Sequence, residues 1–154
     1  MNKITEIKDN FLIGIGDNYI IITLGQDPDN LLKENQIKEK PKGNNNDDKT
    51  INLKIYSGNI KQRNVSFDKN KSKILIGRCS ECDIIIEDYM LSRFHCTFFF
   101  QNGKWFICDG LMENDNHIKN STNGTWLYAF EDTIIYHNMK FKSNNNLFVC
   151  TFEK

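Results

Sequence analysis

From Ile51 onward the chain alternates apolar and polar residues over short stretches. Ile51, Leu53 and Ile55 project to one side, and Asn52 and Lys54 to the other, which is the period of a half-buried strand. The same reading predicts strands at Ile51–Tyr56, Asn64–Phe67, Lys73–Ile76, Asp83–Ile86, His95–Phe100, Trp105–Cys108, Thr125–Tyr128, Thr133–Ile135, Met139–Phe141 and Leu147–Phe152. Turn-forming residues separate them: Ser57-Gly58-Asn59, Asp68-Lys69-Asn70, Gln101-Asn102-Gly103 and the Asn144 run. Gln101-Asn102-Gly103 is the clearest hairpin signal, because Asn-Gly accepts the positive φ that tight hairpin turns require. No segment of helical period competes after residue 50. Short strands at this spacing predict an all-β sandwich of about ten to eleven strands.

The first fifty residues read differently. Phe11 to Gly16, then Asp17-Asn18, then Tyr19 to Leu24 form two apolar runs about a tight turn. An isolated hairpin is marginal in water, so it is expected to pack on the main domain or on a partner. Residues 25–50 are polar, hold both prolines and a Gly-Asn run, and read as linker. Leu31 to Lys38 is a short helix candidate within them. The expected division is an N-terminal extension, 1–50, with the hairpin at 11–24 and the linker at 25–50, followed by a domain at 51–154.

Composition narrows the function classes. With 154 residues and 39% hydrophobic content, the chain can bury a core and is not disordered as a whole. Twenty basic and twenty acidic residues cancel, so no global field draws it to nucleic acid or membrane. Phe98-Phe99-Phe100 and Trp105-Phe106 lack an accompanying basic groove and read as core, not as base-stacking platforms. No signal peptide or apolar run of membrane-spanning length is present. An odd set of five cysteines then favours a reducing, intracellular setting: cytoplasm, nucleus or a cytoskeletal structure. Cys79 and Cys82 have metal-knuckle spacing, but the second ligand pair zinc needs is missing, so no metal is expected. Cys96, Cys108 and Cys150 lie in apolar runs and read as small core residues. Gly14-Ile15-Gly16 is too short for a nucleotide fingerprint and no helix follows it, so no cofactor is expected.

Three loops carry candidate chemistry. The first is Gly77-Arg78-Cys79-Ser80, the second Ser92-Arg93-Phe94-His95, and the third Ser121-Thr122-Asn123-Gly124-Thr125-Trp126. Lysines number seventeen and arginines three, yet two of those three are Arg78 and Arg93. A site that needs the planar guanidinium fork, not merely a positive charge, explains that placement. Gly77 frees the backbone for a sharp strand exit. Ser92 offers a hydroxyl and neighbouring amides for an anion, and Asn123-Gly124 forms a turn.

In this order, and flanked by Ile74-Leu75-Ile76, Cys82-Asp83-Ile84, His95-Cys96-Thr97-Phe98 and Trp105-Phe106-Ile107-Cys108-Asp109, the three loops resemble the forkhead-associated (FHA) domain family. The resemblance spans about residues 51–154. It implies an FHA-like β-sandwich without enzymatic activity that binds a phosphothreonine-containing protein. Arg78 and Ser92 match the residues that contact the phosphate. Arg93 falls at a position that often touches phosphate or peptide backbone. Thr122 falls where a small polar residue approaches the phosphate or the threonine methyl. Asn123 matches the asparagine that bonds the peptide backbone. His95 is expected to order the loops from behind, and Gly77, Gly124 and Thr125 to be architectural. The chain departs from the family between Asp109 and Ser121, where residues 110–120 add a loop that borders the groove and adds contacts or covers the site.

Rival readings remain open at the level of sequence. Arg78 has Glu81 or Asp83 as possible surface ion-pair partners, and Arg93 has Glu87 or Asp88. Ser92 and His95 lack the strand elbow and the orienting acid of a hydrolase. A phosphate-independent structural module, a member of a larger assembly docking through the 11–24 hairpin and the 110–120 loop, is the alternative function.

Overall fold

The computed structural model describes residues 4–25, 50–58, 61–113, 117–129, 134–143 and 146–153. The expected linker and its helix candidate lie almost wholly outside the described residues. Two five-stranded sheets form the body. The first joins β1 (Thr5–Glu6), β9 (Lys104–Asp109), β8 (Cys96–Gln101), β6 (Lys73–Gly77) and β7 (Ile84–Ile85), in that spatial order. The second joins β12 (Thr125–Leu127), β2 (Phe11–Ile15), β3 (Asn18–Leu24), β4 (Ile51–Ser57) and β5 (Lys61–Phe67). Every pairing in these sheets is antiparallel except β6 with β7.

The alternation seen in sequence is what glues the sheets together. Ile51, Leu53 and Ile55 are buried as expected, and opposite them on β3 lie Leu24, Ile22 and Ile20. Ile13 continues the row from β2. These side chains form one core cluster with Ile74, Ile76, Ile84, Phe98, Trp105 and Ile107 of the first sheet. That is the packing of a β-sandwich, two inner faces interdigitating. The Gln101–Lys104 hairpin forms as predicted, with Asn102 at φ 50° and Gly103 at φ 81°.

The N-terminal hairpin is not an appendage. β2 and β3 sit in the middle of the second sheet, β3 paired to β4 and β2 to β12. The division drawn at residue 50 from sequence thus falls between two paired strands, β3 and β4, and β1, β2 and β3 are integral to the two sheets. The reason is physical. Ile13, Ile15, Ile20 and Ile22 need a second apolar layer to be buried, and the first sheet supplies it. The turn also falls one residue earlier than expected. Ile15 pairs with Asn18, leaving Gly16-Asp17 as the turn and Asn18 as the first, buried residue of β3.

Within residues 110–120, β10 (Leu111–Met112) pairs with β11 (Ile118–Lys119). Met112 and Ile118 pack with Phe99, Phe106 and Cys108 on the outer face of the first sheet, a second small core. Phe99 and Phe106 stack there with ring centroids 5.5 Å apart. The aromatic run thus serves two cores, Phe98 and Trp105 inside and Phe99 and Phe106 outside, as its period of two dictates.

β13 (Lys140–Ser143) and β14 (Asn146–Val149) pair with each other and keep exposed faces. Two expectations change here. Ile134 and Ile135 have irregular backbone and are exposed, so they form no strand; Thr133 lies outside the described residues. Cys96 and Cys108 are buried as expected, whereas Cys150 is only half-buried, since this last hairpin does not enter the main core.

Candidate functional site

The three loops converge at one end of the sandwich. β6 ends at Gly77, where a Cβ would sit 2.1 Å from the Arg93 carbonyl oxygen. Only glycine permits that approach, and it brings the first two loops side by side. Arg78 N–H then donates to Ser92 O at 3.2 Å, and Cys79 N–H to Arg93 O at 3.3 Å. Arg78 is exposed at the loop mouth and, among the described residues, makes no ion pair. Its candidate surface partners are engaged elsewhere. Asp83 holds Lys71 and accepts from Leu75 N–H at 2.9 Å. Glu81 holds Arg93 at 3.2 Å. Glu81 is kept below the usual carboxylate range by a bond from its own backbone, then by Cys79 and Ser80. Arg93 therefore pairs with an acid that sequence reading had assigned to Arg78.

The second and third loops are joined by hydroxyls and amides. Ser92 Oγ accepts from Thr122 N–H at 2.9 Å and donates to Thr122 Oγ1 at 3.3 Å. Asn123 Nδ2 donates to Met90 O at 2.7 Å, and Asn123 O accepts from the Trp126 indole at 3.0 Å. His95 is fully buried behind both loops. Ser92 N–H donates to its Nδ1 at 3.1 Å, so Nδ1 is the acceptor. Nε2 must then carry the proton, and it faces Gly124 O at 3.1 Å. Burial holds the imidazole below its ordinary pKa, against the opposing pull of the Gly124 carbonyl and Asp109. The neutral tautomer is the one both loops need.

Two braces were missed in the sequence. Asp109 is buried and accepts from Ser121 Oγ at 2.6 Å, Ser121 N–H at 3.2 Å and Thr125 Oγ1 at 3.0 Å. Ser121 Oγ in turn accepts from Gly124 N–H at 2.9 Å, closing the turn that presents Thr122 and Asn123. Asp88 is the second brace. Its Oδ2 accepts from Asn18 Nδ2 at 2.7 Å and Asp17 N–H at 3.3 Å, and its Oδ1 from Met90 N–H at 2.8 Å. The turn of the N-terminal hairpin thus grips the segment that leads to Ser92. An acid closing a strand of aromatic residues, with a serine following, was the available signal for Asp109. Nothing local in the sequence pointed to Asp88.

Arg78, Ser92, Arg93 and Thr122 line one cleft of about 370 Å³. Phe94 and, from the inserted segment, Leu111, Glu113, Lys119 and Asn120 line it as well. The described residues of the insertion thus border the cleft. Asn123 lies beside the cleft and does not line it, because its amide is turned to Met90. Gly77 and Thr125 act through the backbone approach and the Asp109 bond just described, and Gly124 through its carbonyl to His95.

The two-sheet sandwich thus gathers an arginine, a serine and a threonine from separate loops into one cleft. Residues 74–148 match the family model of the FHA domain. FHA domains are phosphopeptide-binding protein-interaction modules. The match begins at β6, so the strands β1 to β5 that complete the sandwich lie outside it. No curated protein and no solved structure matches the chain. Among the described residues there is no cluster of metal-ligating side chains, and no helix is long and apolar enough to cross a membrane.

Proposed function

We propose that this domain binds a phosphothreonine-containing protein and acts as a signalling or assembly adaptor. One observation carries the reading: Arg78, without an ion-pair partner among the described residues, lines the same cleft as Ser92, Arg93 and Thr122. The Arg78 fork and the Ser92 hydroxyl meet the phosphate oxygens, a charge-assisted arrangement roughly twice as strong as neutral hydrogen bonding. Arg93 adds positive charge while leaning on Glu81. Asn123 exchanges its bond to Met90 O for one to the peptide backbone. Thr122 lies against the threonine methyl, whose burial contributes about 0.8 kcal/mol. His95 Nδ1, beside Ser92, accepts from the Ser92 backbone amide and not from its hydroxyl, which supports a binding role for Ser92.

Titration of a phosphothreonine peptide library and its unphosphorylated twins against the wild type and Arg78→Ala tests the reading. Phosphorylated members bind, and Arg78→Ala weakens them at least about tenfold, the loss of one charge-assisted contact. Equal binding of both peptide forms refutes it. The second reading, a phosphate-independent member of a larger assembly, draws on a different observation. Ile134, Tyr136, Leu147, Phe148 and Phe152 are all exposed near the last hairpin, an apolar surface of the kind that marks contact with other proteins. Partner binding that survives phosphatase and Arg78→Ala favours that reading.

A further inference from the structure

The loop that presents Arg78 is also a dithiol. The Cys79 and Cys82 sulfurs lie 3.4 Å apart. Cys82 N–H donates to Cys79 O at 3.2 Å, the closing bond of a four-residue turn. Such a turn holds its end Cα atoms within about 7 Å, which overlaps the separation that a disulfide spans. Closing the bond therefore needs side-chain rotation and little backbone movement. The two thiols differ in access. Cys79 is half-exposed, while Cys82 is 7% exposed. Burial and the neighbouring Cys79 thiol push Cys82 up to about 12, so it persists as a thiol. Cys82 also donates its S–H to Arg93 O at 3.2 Å, and Glu81, between the two cysteines, holds the Arg93 guanidinium.

We propose that Cys79 and Cys82 form a thiol–disulfide couple that a peroxide oxidises and a dithiol reductant restores, and that its oxidation loosens the Arg93 side of the cleft. Cys79 meets the oxidant. Its sulfur attacks one peroxide oxygen, the O–O bond breaks, and the departing oxygen leaves as water or alcohol with a proton, giving the sulfenic acid. The Cys82 sulfur then attacks the Cys79 sulfur, and hydroxide leaves with the Cys82 proton as water. Two electrons pass from the pair of thiols to the peroxide, and two thiol hydrogens end in the released products. The disulfide has no S–H, so Arg93 O loses its Cys82 donor and keeps only the Cys79 amide. The Glu81 turn tightens at the same time, shifting the partner of the Arg93 guanidinium. The couple stands independently of the phosphothreonine reading; only its effect on ligand binding rests on that reading.

The experiment uses the reduced full chain treated with limiting hydrogen peroxide, then unfolded, alkylated and digested with trypsin. Cleavage after Arg78 and Arg93 places both cysteines in one peptide. That peptide is expected to lose two hydrogens and resist alkylation, while the Cys96 and Cys108 peptides alkylate normally. In Cys79→Ser, Cys82 is expected to stay reduced under the same treatment. An unchanged 79–93 peptide, or one carrying oxygen on Cys79 beside an alkylated Cys82, overturns the couple. In parallel, the oxidised chain is titrated with a phosphothreonine peptide. Affinity is expected to fall roughly fivefold, the equivalent of one hydrogen bond, and to return with dithiothreitol. A disulfide with unchanged affinity overturns the link to Arg93. Absence of phosphopeptide binding by the reduced chain counts against the proposed function alone, since the mass readout decides the couple without it.

Discussion

At the Gly77 Cα, the space a side chain would take is already filled by the Arg93 carbonyl. Gly77→Ala must therefore part the first two loops. The expected cost is about 3 kcal/mol in chemical denaturation, at the upper end of overpacking effects, together with loss of phosphopeptide binding. His95 works by charge state. Folding lowers its pKa, so between the folded and unfolded values the unfolded chain holds more protons. Stability is then fully present above the unfolded value of about 6.5 and is lost as pH falls through the folded one. Thermal unfolding across that range is expected to show this loss in the wild type and a shallower dependence in His95→Gln. Phosphopeptide binding should also weaken at about pH 5.5 relative to 7.5, because the ligand phosphate regains a proton near pH 6. Residue identities were the most legible layer of the sequence. Arg78, Ser92, Arg93 and Thr122 do share a cleft. The partners of Arg93 and the braces Asp109 and Asp88 were hidden because hydrogen bonds across the fold leave no spacing signature.

Among the elements, the short turn at Ile15–Asn18 has a reach beyond its sheet. Through Asn18 and Asp88 it fixes the segment running to Ser92. Asn18→Ala removes that tie and leaves Asp88 Oδ2 with only the weaker bond from Asp17 N–H. The expected effect is about 1–2 kcal/mol of destabilisation and a measurable drop in ligand affinity at a distance from the ligand. A fall in stability with no change in affinity would show that the turn props the sheet alone. Most strands were legible because the inward residues alternate cleanly, as in Ile51, Leu53 and Ile55. β10 and β11 were not, because two-residue strands are too short to display a period. Ile134 and Ile135 show the converse error: an apolar run satisfies the strand pattern whether or not a partner strand is there to pair with it.

For the molecule as a whole, the sequence division at residue 50 separated two strands from the sheet they complete. The hairpin looked detachable because a polar stretch follows it, and a linker signal says nothing about where the chain returns. A truncated chain, 51–154, exposes the inner face lined by Ile51, Leu53 and Ile55 and leaves β12 without β2. It is expected to lack cooperative thermal unfolding and dispersed amide resonances. A well-folded 51–154 fragment would restore the original boundary. The pairing of Ile15 with Thr125 has a further consequence, for the order of events during synthesis. Contacts between distant parts of a chain are slow to form, since the intervening loop must close first. On the nascent chain, β2 must wait for β12, about a hundred residues further along. The second sheet cannot close before the loop at 121–125, which carries Thr122 into the cleft, has left the ribosome, so the sandwich and the cleft mature together.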